Sequence, residues 1–349
     1  MARTLSVRSM TWLGFTGLLI GIGALSWFSP PPSPGATASP PAFDAQGHRG
    51  ARGLYPENTL PGFAAALAIG VTTLEMDVGL TRDGVLVVHH DRRLDPHRTR
   101  GSDGAWIEEP ASAIFALDHA SLATYDVGRA RPDSRIAKRF PEQAGLDGVT
   151  IPTLAEVIAL AEAASAGAVR YNIETKTAPD APMETAAPEA MAEALVSAIQ
   201  ETGITERATV QSFDWRSLRR VQEIAPALRT VYLTAEQSWL NNLERGQPGV
   251  SPWTAGIDPD DYVASVPRTI EAAGGAVWSP YYRDLRQADL AEAKRLGLRV
   301  VVWTVNEPAD MRSLIDLGVD GIITDYPDRL RAVMAERDVP LPPAFPAAQ

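Results

Sequence analysis

The chain has 349 residues, 45% of them hydrophobic and 21% charged, which is typical of a globular protein with one large core or two smaller ones. Its formal net charge of −11, with the acidic residues scattered along the chain, argues against a nucleic-acid-binding surface. The absence of cysteine excludes disulfides, thiolate nucleophiles and cysteine-ligated zinc or iron–sulfur sites.

The N-terminal segment has the features of an export signal. Arg3 and Arg8 precede the uncharged, mostly apolar residues 10–28, and a proline-rich tether follows. This stretch is long for a cleaved signal core and just long enough to span a bilayer, so cleavage near residues 36–38 and a retained anchor both stay open. We therefore expect residues 1–41 to form a signal or anchor with its tether. The protein is then exported, either periplasmic or anchored to the membrane and facing outward.

From residue 43 onward, short apolar or β-branched runs alternate with helical patterns. The runs that predict strands are FDAQGH (43–48), TLEMDV (73–78), YNIETK (171–176), ATVQSF (208–213), RTVYL (229–233), AVWSPYY (276–282), RVVVWTVN (299–306) and GIITDY (321–326). Helical patterns between them include TLAEVIALAEAA, PEAMAEALVSAIQETG, DLAEAKRLG and PADMRSLIDLG. Eight strand–helix units predict an α/β fold, a (β/α)8 TIM barrel, with a doubly wound open sheet as the alternative.

One further run does not fit a parallel barrel. VLVVHHD (85–91) follows EMDVGLT across RDG, a connection too short for a parallel crossover but suited to an antiparallel hairpin. If the turn is centred on the Arg-Asp pair, His90 lies opposite Glu75, on the face that Glu75 shares with Asp77. His89 then points to the opposite face, where we expect it to pack.

Two long stretches, residues 92–150 and 234–262, interrupt the alternation and are rich in turn signals. Loops of this length in a compact domain are usually functional lids or small subdomains. We expect residues 92–150 to be an insertion subdomain within a barrel of residues 42–335. A C-terminal tail would then cover residues 336–349.

Three carboxylates, those of Glu75, Asp77 and Glu174, are expected to converge at the carboxyl ends of the strands. Like charges at this proximity raise one or more pKa values unless a cation neutralises them. Oxygen ligands without a thiolate favour one hard divalent ion, Mg²⁺ or Ca²⁺. In the alternative, the acids pair with Arg49, Lys176 or helix N-termini as a structural network. We favour the metal because carboxylates are rarely buried unless they are paired or coordinate a metal.

Two histidines flank the same region, His48 at the end of the first strand and His90 on the hairpin. The pKa of imidazole suits proton transfer near neutral pH, and two histidines permit one acid and one base. A lone histidine is more often an ordinary hydrogen-bonded residue, but a pair beside carboxylates favours catalysis. Arg49 and Lys176 would suit a phosphate ligand, arginine as a fork and lysine as a point charge.

The same motifs carry a family resemblance. HRGARGLYPENT, EMDVGLTRDGVLVVHHD, IETK, QSF, WTVN and GVDGIITDYP occur in this order over about residues 44–331. They resemble the successive motifs of the glycerophosphodiester phosphodiesterases, here in an exported bacterial form with an insertion subdomain. The resemblance implies a barrel enzyme that hydrolyses glycerophosphodiesters to glycerol 3-phosphate and an alcohol.

Carried over to this chain, the resemblance implies a role for each residue of the site. The implied catalytic pair is His48 and His90, the metal ligands are Glu75, Asp77 and Glu174, the phosphate contacts are Arg49 and Lys176, and the supporting residues are Glu57, Asn58, Gln211, Phe213 and Trp303. One histidine would deprotonate the glycerol 2-hydroxyl, which attacks phosphorus to form a cyclic phosphate, while the other protonates the leaving alcohol. Water then opens the ring. The assignment of acid and base stays open.

Departures from the minimal family pattern leave the substrate open. The stretch LDPHRTRGSDG is longer than the compact form of its motif, and the following insertion resembles the capping subdomain of larger bacterial relatives. Trp239 and Trp253, in the second long loop, could cover a choline-like headgroup by cation–π contact or simply pack that loop. The alternative functions are a phospholipase-D-like or lysophospholipid-cleaving barrel and a non-catalytic phosphoryl-ligand binder. Two acid/base histidines argue against the binder. The sequence leaves the oligomeric state open.

Overall fold

Eight parallel strands form a closed barrel in the computed structural model, which describes residues 41–345. The barrel strands are β1 (Asp44–Gly47), β2 (Thr73–Leu80), β4 (Arg170–Thr175), β5 (Ala208–Ser212), β6 (Arg229–Thr234), β9 (Val277–Pro280), β10 (Arg299–Val302) and β11 (Gly321–Thr324). The first strand pairs with both β2 and β11, which closes the sheet. The predicted TIM barrel and all eight of its strands are confirmed, and the open-sheet alternative is wrong.

Three other strands of the described residues lie outside the barrel: β3 (Leu86–Val88), β7 (Glu236–Gln237) and β8 (Leu240–Asn241). The helices are α1 (Leu60–Ile69), α2 (His119–Leu122), α3 (Arg135–Arg139), α4 (Leu154–Ser165), α5 (Pro188–Glu201), α6 (Trp215–Ile224), α7 (Val266–Ala272), α8 (Gln287–Arg295), α9 (Pro308–Leu317) and α10 (Pro327–Glu336). The four quoted helical patterns correspond to α4, α5, α8 and α9. Short 3₁₀ turns cover Ile114–Ala116, Thr205–Arg207 and Pro259–Tyr262.

The main core lies between the barrel and its outer helices. Helix α5, for example, buries Met191, Leu195 and Ile199, which recur every four residues and so form one apolar face. On β2, the alternate residues Leu74 and Met76 join the same core. The residues between them point the other way, into the barrel, and this alternation carries the carboxylates to the site.

The hairpin strand β3 pairs antiparallel with β2, as predicted, but the predicted register is wrong by one residue. Val88 lies opposite Val78, and the backbone N–H of His89 donates to Asp77 O (3.0 Å). His90 is therefore not opposite Glu75, and it lies in a bend beyond the end of β3.

The register shift comes from the turn. The N–H of Gly84 donates to Thr81 O (3.1 Å), and Gly84 then adopts a left-handed conformation with φ of 81°. The N–H of Thr81 donates to Val85 O (3.0 Å), so Thr81 pairs with Val85 rather than with Gly84. A turn followed by a left-handed glycine makes a three-residue loop, one residue longer than the two-residue turn expected from the sequence.

The two long loops have some local structure. Residues 92–150 pack around a small apolar cluster that includes Leu94, Ile114 and Leu122. Residues 234–262 carry the β7–β8 hairpin. The boundaries of an insertion subdomain stay a prediction.

The expected signal or anchor with its tether covers residues 1–41, of which residues 1–40 lie outside the described residues, as do residues 346–349 of the expected tail. Within residues 41–345, no helix has the length and hydropathy needed to cross a membrane. The visible part of the tail returns to the barrel, where Phe345 N–H donates to Leu67 O (2.8 Å).

The left-handed conformation of Gly84 in this turn can be tested by substitution. We expect Gly84→Ala to lower the free energy of unfolding by about 1 kcal/mol, because a Cβ disfavours the left-handed conformation. No atom lies within 4 Å of the added Cβ, so the cost is conformational rather than steric. Gly84→Asn is the matched control and should cost less, because asparagine tolerates this conformation. Thermal unfolding of both variants checks the ranking, and equal melting temperatures for Ala and Asn would contradict it.

Candidate active site

Three carboxylates meet at the carboxyl ends of neighbouring barrel strands. Asp77 on β2 lies opposite Glu174 on β4, and Glu75 lies two residues before Asp77. One oxygen from each side chain lies within 4.8 Å of the others, and all three residues are buried. The convergence expected from the period-two pattern is therefore present.

Burial and mutual repulsion oppose the ionisation of these three carboxyl groups. Burial and the neighbouring Asp77 raise the pKa of Glu75 well above its usual value. Burial also raises the pKa of Glu174 to about 7. Burial would raise the pKa of Asp77 as well, but Arg49 and Lys176 outweigh it and hold that pKa well below its usual value. Two carboxyls thus resist ionisation beside a third that is ionised.

The residues present fit a hard cation. Asp77 Oδ1 is buried and receives no hydrogen bond. An anionic oxygen in that state is costly unless a positive charge faces it. Together with Glu75 and Glu174 it makes an all-oxygen set of the kind that divalent cations such as Mg²⁺ and Ca²⁺ bind. The cluster can therefore hold a metal ion.

Cationic side chains of the protein also contact the cluster. Lys176 Nζ lies 2.6 Å from Glu174 Oε1 and 3.5 Å from Asp77 Oδ1. Arg49 Nε lies 3.1 Å from Asp77 Oδ2, and its backbone N–H donates to Glu75 Oε2 (2.9 Å). The ion pairing that the sequence left as an alternative to a metal is therefore present.

A tight turn after β1 sets the position of Arg49. Arg49 and Gly50 both have positive φ, 51° and 88°. A Cβ on Gly50 would lie 2.6 Å from the carbonyl carbon of Gly62, so only glycine allows the loop to approach helix α1 this closely. Thr59 caps that helix by accepting a hydrogen bond from Gly62 N–H (3.2 Å).

Glu57 and Asn58 connect the same loop to the site. Asn58 Nδ2 donates to Asp77 Oδ2 (2.9 Å). The Glu57 carboxylate accepts from Arg49 Nη1 (2.7 Å) and also forms ion pairs with Arg52 and Arg98. Burial opposes ionisation of Glu57, but the three arginines hold its pKa well below the usual value. This pair therefore orients a predicted metal ligand and a predicted phosphate contact.

His48 forms a pair with Asp325. Its Nδ1 lies 2.6 Å from Asp325 Oδ1, and Asn306 Nδ2 donates to the other carboxylate oxygen (2.7 Å). Despite burial, His48 and Arg52 hold the pKa of Asp325 below its usual value. An ionised carboxylate can only accept, so Nδ1 is the donor of this pair. The other ring nitrogen, Nε2, lies 4.0 Å from Glu75 Oε2.

His90 forms a similar pair with its neighbour. Its Nδ1 lies 2.7 Å from Asp91 Oδ1, and Arg98 binds the second oxygen of Asp91. Burial, with Arg49 and Lys176, lowers the pKa of His90 to about 3. His90 lines one small cavity together with Glu57 and Asn58, and Asn58 in turn donates to Asp77. The bend after β3 therefore brings His90 to this side of the cluster in spite of the register shift.

His89 is buried beside the site without joining either pair. Its Nδ1 lies 2.9 Å from Asp91 O, and its Nε2 has no hydrogen-bond partner. The backbone N–H of His89 donates to Asp77 O. This main-chain hydrogen bond, rather than a side-chain contact with the carboxylates, connects His89 to β2.

The remaining strands line the mouth of the barrel with aromatic rings. Gln211 on β5 donates to Glu75 Oε1 (2.7 Å), which places it under the cluster. Phe213, just after β5, packs edge-to-face on Trp303 at 5.3 Å between ring centroids. Trp303 in turn contacts Tyr281 and Trp239. Of the three predicted supporting residues, Gln211 therefore contacts the cluster, and Phe213 and Trp303 contact each other.

Known proteins match both the sequence and the fold. The model of the glycerophosphoryl diester phosphodiesterase family matches residues 48–329. The chain is 28% identical to the glycerophosphodiester phosphodiesterase of Bacillus subtilis (strain 168), over 90% of this chain and 95% of that protein. It is 30% identical to the glycerophosphodiester phosphodiesterase of Caldanaerobacter subterraneus, over 81% of this chain and 94% of that protein. The chain belongs to this family.

Solved structures agree with the glycerophosphodiester phosphodiesterase assignment. A candidate glycerophosphoryl diester phosphodiesterase from Silicibacter pomeroyi superposes with a TM-score of 0.75 at 35% identity, covering 86% of this chain and 96% of that one. An Oleispira antarctica phosphodiesterase, solved with the product sn-glycerol-3-phosphate, shares the fold with a TM-score of 0.60 at 22% identity, covering 84% of this chain and 96% of that one. The protein is a phosphoric diester hydrolase.

Several side chains of this phosphodiesterase site were not singled out from the sequence. They are Arg52, Asp91, Arg98, Asn306 and Asp325. All five stand in stretches quoted from the sequence, and Asp325 directly follows β11, the strand beside β1. In a closed barrel, that position puts Asp325 next to His48, so adjacency of the first and last strands was the available signal.

The site contains more carboxylates than cationic side chains. The cationic side chains are Arg49, Arg52, Arg98 and Lys176, and the carboxylates are Glu57, Glu75, Asp77, Asp91, Glu174 and Asp325. Four positive charges against six carboxylates leave two negative charges when all the acids are ionised and both histidines are neutral. One divalent cation would neutralise that remainder.

The His48–Asp325 pair generates a prediction for this family member. We expect Asp325→Asn to lower kcat by about 10²-fold or more with little change in KM, because an amide no longer fixes which ring nitrogen of His48 carries the proton. The matched control is Asp316→Asn, which removes an exposed carboxylate paired with Arg337 on the surface. Steady-state kinetics on a glycerophosphodiester measure kcat and KM for both variants. A KM effect alone, or equal losses in both variants, would refute the positioning role.

Proposed function

We propose that this protein hydrolyses glycerophosphodiesters to glycerol 3-phosphate and an alcohol, with His48 and His90 as the proton-transfer pair. The observation that carries the proposal is the placement of two histidine–aspartate pairs beside one buried cluster of carboxylates. The fold relative from Oleispira antarctica, with sn-glycerol-3-phosphate as its product, supports the product assigned here.

The phosphate of the substrate would lie against the carboxylate cluster, beside the two cations that contact it. Glu75, Asp77 and Glu174 would hold one divalent cation, Mg²⁺ or Ca²⁺, which supplies positive charge to the phosphate oxygens when bound. Arg49 and Lys176 would bind those oxygens from the protein side. Asn58 keeps Asp77 oriented through its hydrogen bond of 2.9 Å.

The two histidines supply the proton movements. One, neutral at Nε2, takes the proton of the glycerol 2-hydroxyl as its oxygen forms a bond to phosphorus. The other, protonated, gives its proton to the leaving alcohol as the second phosphorus–oxygen bond breaks. The resulting cyclic phosphate is opened by water with the roles exchanged. Asp325 and Asp91 stabilise the protonated ring in whichever step His48 or His90 carries the charge.

The function is tested with a panel of diesters and metals. We expect hydrolysis of glycerophosphocholine with Mg²⁺ or Ca²⁺ and loss of activity in EDTA. Glu75→Gln, Asp77→Asn and Glu174→Gln should each weaken divalent-ion binding, measured by calorimetry, and lower turnover, because removing an anion from a hard-ion site costs affinity. Full activity after complete metal removal would contradict the metal assignment. Faster cleavage of lysophosphatidylcholine than of glycerophosphocholine would favour the lysophospholipid alternative.

The cyclic intermediate is tested with a substrate analogue. A diester of 2-deoxyglycerol lacks the attacking hydroxyl, so we expect it to be a very poor substrate even though its phosphate binds. Intramolecular attack in good geometry corresponds to an effective molarity on the order of 10⁵ M, or roughly 7 kcal/mol of the barrier. Comparable kcat/KM for the two diesters would instead indicate direct attack by water.

We also propose that the protein is exported and acts in the periplasm or at the outer side of the membrane. Support comes from the composition of residues 10–28, which are uncharged and mostly apolar and follow Arg3 and Arg8. Fractionation of cells expressing the full chain, with mass spectrometry of the purified N-terminus, should find the protein outside the cytoplasm. A soluble chain starting near residue 39 indicates cleavage, and an intact membrane-bound chain indicates an anchor. Recovery in the cytoplasm would refute export.

A further inference from the structure

The interior of the barrel is apolar on one side and polar on the other. Strands β6, β9, β10 and β11 are consecutive in the closed sheet. Their side chains that alternate with the main core meet inside the barrel as a small apolar cluster: Val231, Val277, Val301 and Ile323. Three of the remaining strands, β1, β4 and β5, each carry a buried amide, and we call these three side chains the amide chain: Gln46, Asn172 and Gln211.

The amide chain runs through the barrel from the carboxylate cluster to the opposite end. Gln211 Nε2 donates to Glu75 Oε1 (2.7 Å). Asn172 Nδ2 donates to both Gln211 Oε1 (2.9 Å) and Gln46 Oε1 (2.9 Å). Gln46 Nε2 donates in turn to Asp44 Oδ2 (2.9 Å), at the start of β1. Each amide of the chain is thus linked to the next, and a carboxylate lies at either end.

The direction of these hydrogen bonds makes Asn172 the central member of the chain. Gln211 and Gln46 each direct their NH2 group at a carboxylate, so the carbonyl oxygens of both amides face Asn172. A side chain that donates twice is needed to serve both oxygens, and Asn172 does so with the two N–H groups of one amide. Its own oxygen accepts from Thr209 Oγ1 (2.8 Å). A reversed Asn172 would place that oxygen against two others.

The orientation of Gln211 bears directly on Glu75, one of the candidate metal ligands. Oε1 of Glu75 accepts from Gln211 Nε2, and Oε2 accepts from Arg49 N–H (2.9 Å), so both oxygens are held. A reversed Gln211 amide would turn its oxygen towards Glu75 Oε1, and two acceptors in contact repel each other. Inside the barrel such a mismatch is costly, because no water replaces the lost hydrogen bonds.

We propose that Asn172 is a positioning residue for the metal ligand Glu75 and acts on it through Gln211. The hydrogen bonds of the Asn172 amide go to Gln46, Gln211 and Thr209, and its effect on Glu75 is to fix which face of the Gln211 amide meets the carboxylate. Partners that orient a metal ligand commonly contribute about 10- to 100-fold to metal affinity. This inference rests on the proposed function and adds a residue of the barrel interior to its metal site.

The test is a calorimetric titration of the metal-free protein with Mg²⁺ and with Ca²⁺. Asn172→Leu keeps nearly the shape of asparagine but has no donor, so it should weaken cation binding by about tenfold. Gln211→Met removes the donor to Glu75 and should weaken binding by a similar factor. The double variant should bind no more weakly than Gln211→Met alone, because the effect of Asn172 passes through Gln211.

Asn242→Leu is the matched control. Asn242 is buried in the 234–262 loop, and its Nδ2 also donates to two carbonyl oxygens, those of Phe213 (3.3 Å) and Leu233 (3.0 Å). The control therefore loses the same kind of buried hydrogen bonds without touching the amide chain. Its melting temperature should fall as in Asn172→Leu, but its affinity for Mg²⁺ and Ca²⁺ should equal that of the wild type.

The outcomes separate this positioning role from the proposed function. Unchanged cation affinity in Asn172→Leu, or losses that add in the double variant, would overturn the role of Asn172 and leave the proposed function standing. If Asn172→Leu does not fold, Asn172→Ala, which leaves room for water, carries the same expectation of weaker binding. A wild-type protein that binds neither cation would overturn the metal assignment of the proposed function, and this inference with it.

Discussion

The structure is organised around one electrostatic constraint, the burial of Glu75, Asp77 and Glu174 within 4.8 Å of one another. Three carboxylates in this state repel each other and have lost most of their hydration, so each can ionise only if positive charge or hydrogen-bond donors face it. Arg49 and Lys176 supply part of that charge. A divalent cation would supply the rest.

The surrounding polar side chains keep this arrangement in place. The Glu57 carboxylate pairs with Arg49, Arg52 and Arg98. Of these arginines, Arg49 also pairs with Asp77 and Arg98 also pairs with Asp91. Because Asp91 also bonds to His90, the carboxylate cluster and His90 belong to one network of hydrogen bonds and ion pairs. Arg98, the arginine that reaches Asp91, comes from the 92–150 segment, so this long loop is structurally part of the site rather than an appendage to it.

The two histidines lie in different parts of the barrel, and each is held by a hydrogen bond to a carboxylate. Each has a carboxylate on Nδ1, and each carboxylate is fixed by a second donor, Asn306 for Asp325 and Arg98 for Asp91. Under the proposed function, the Nε2 atoms of both rings are the ones that exchange protons with the substrate.

The sequence by itself determined the eight barrel strands, the antiparallel hairpin and the convergence of the carboxylates, because these follow from local periodicity and connection length. Only the tertiary structure decided the partners of the histidines. Asp325 meets His48 across 277 residues because the barrel closes. The left-handed Gly84 moved the hairpin register by one residue, and a bend still delivered His90 to the site. Backbone conformation at one turn and contacts between distant segments have no periodic signal, so they emerge only when the chain is folded.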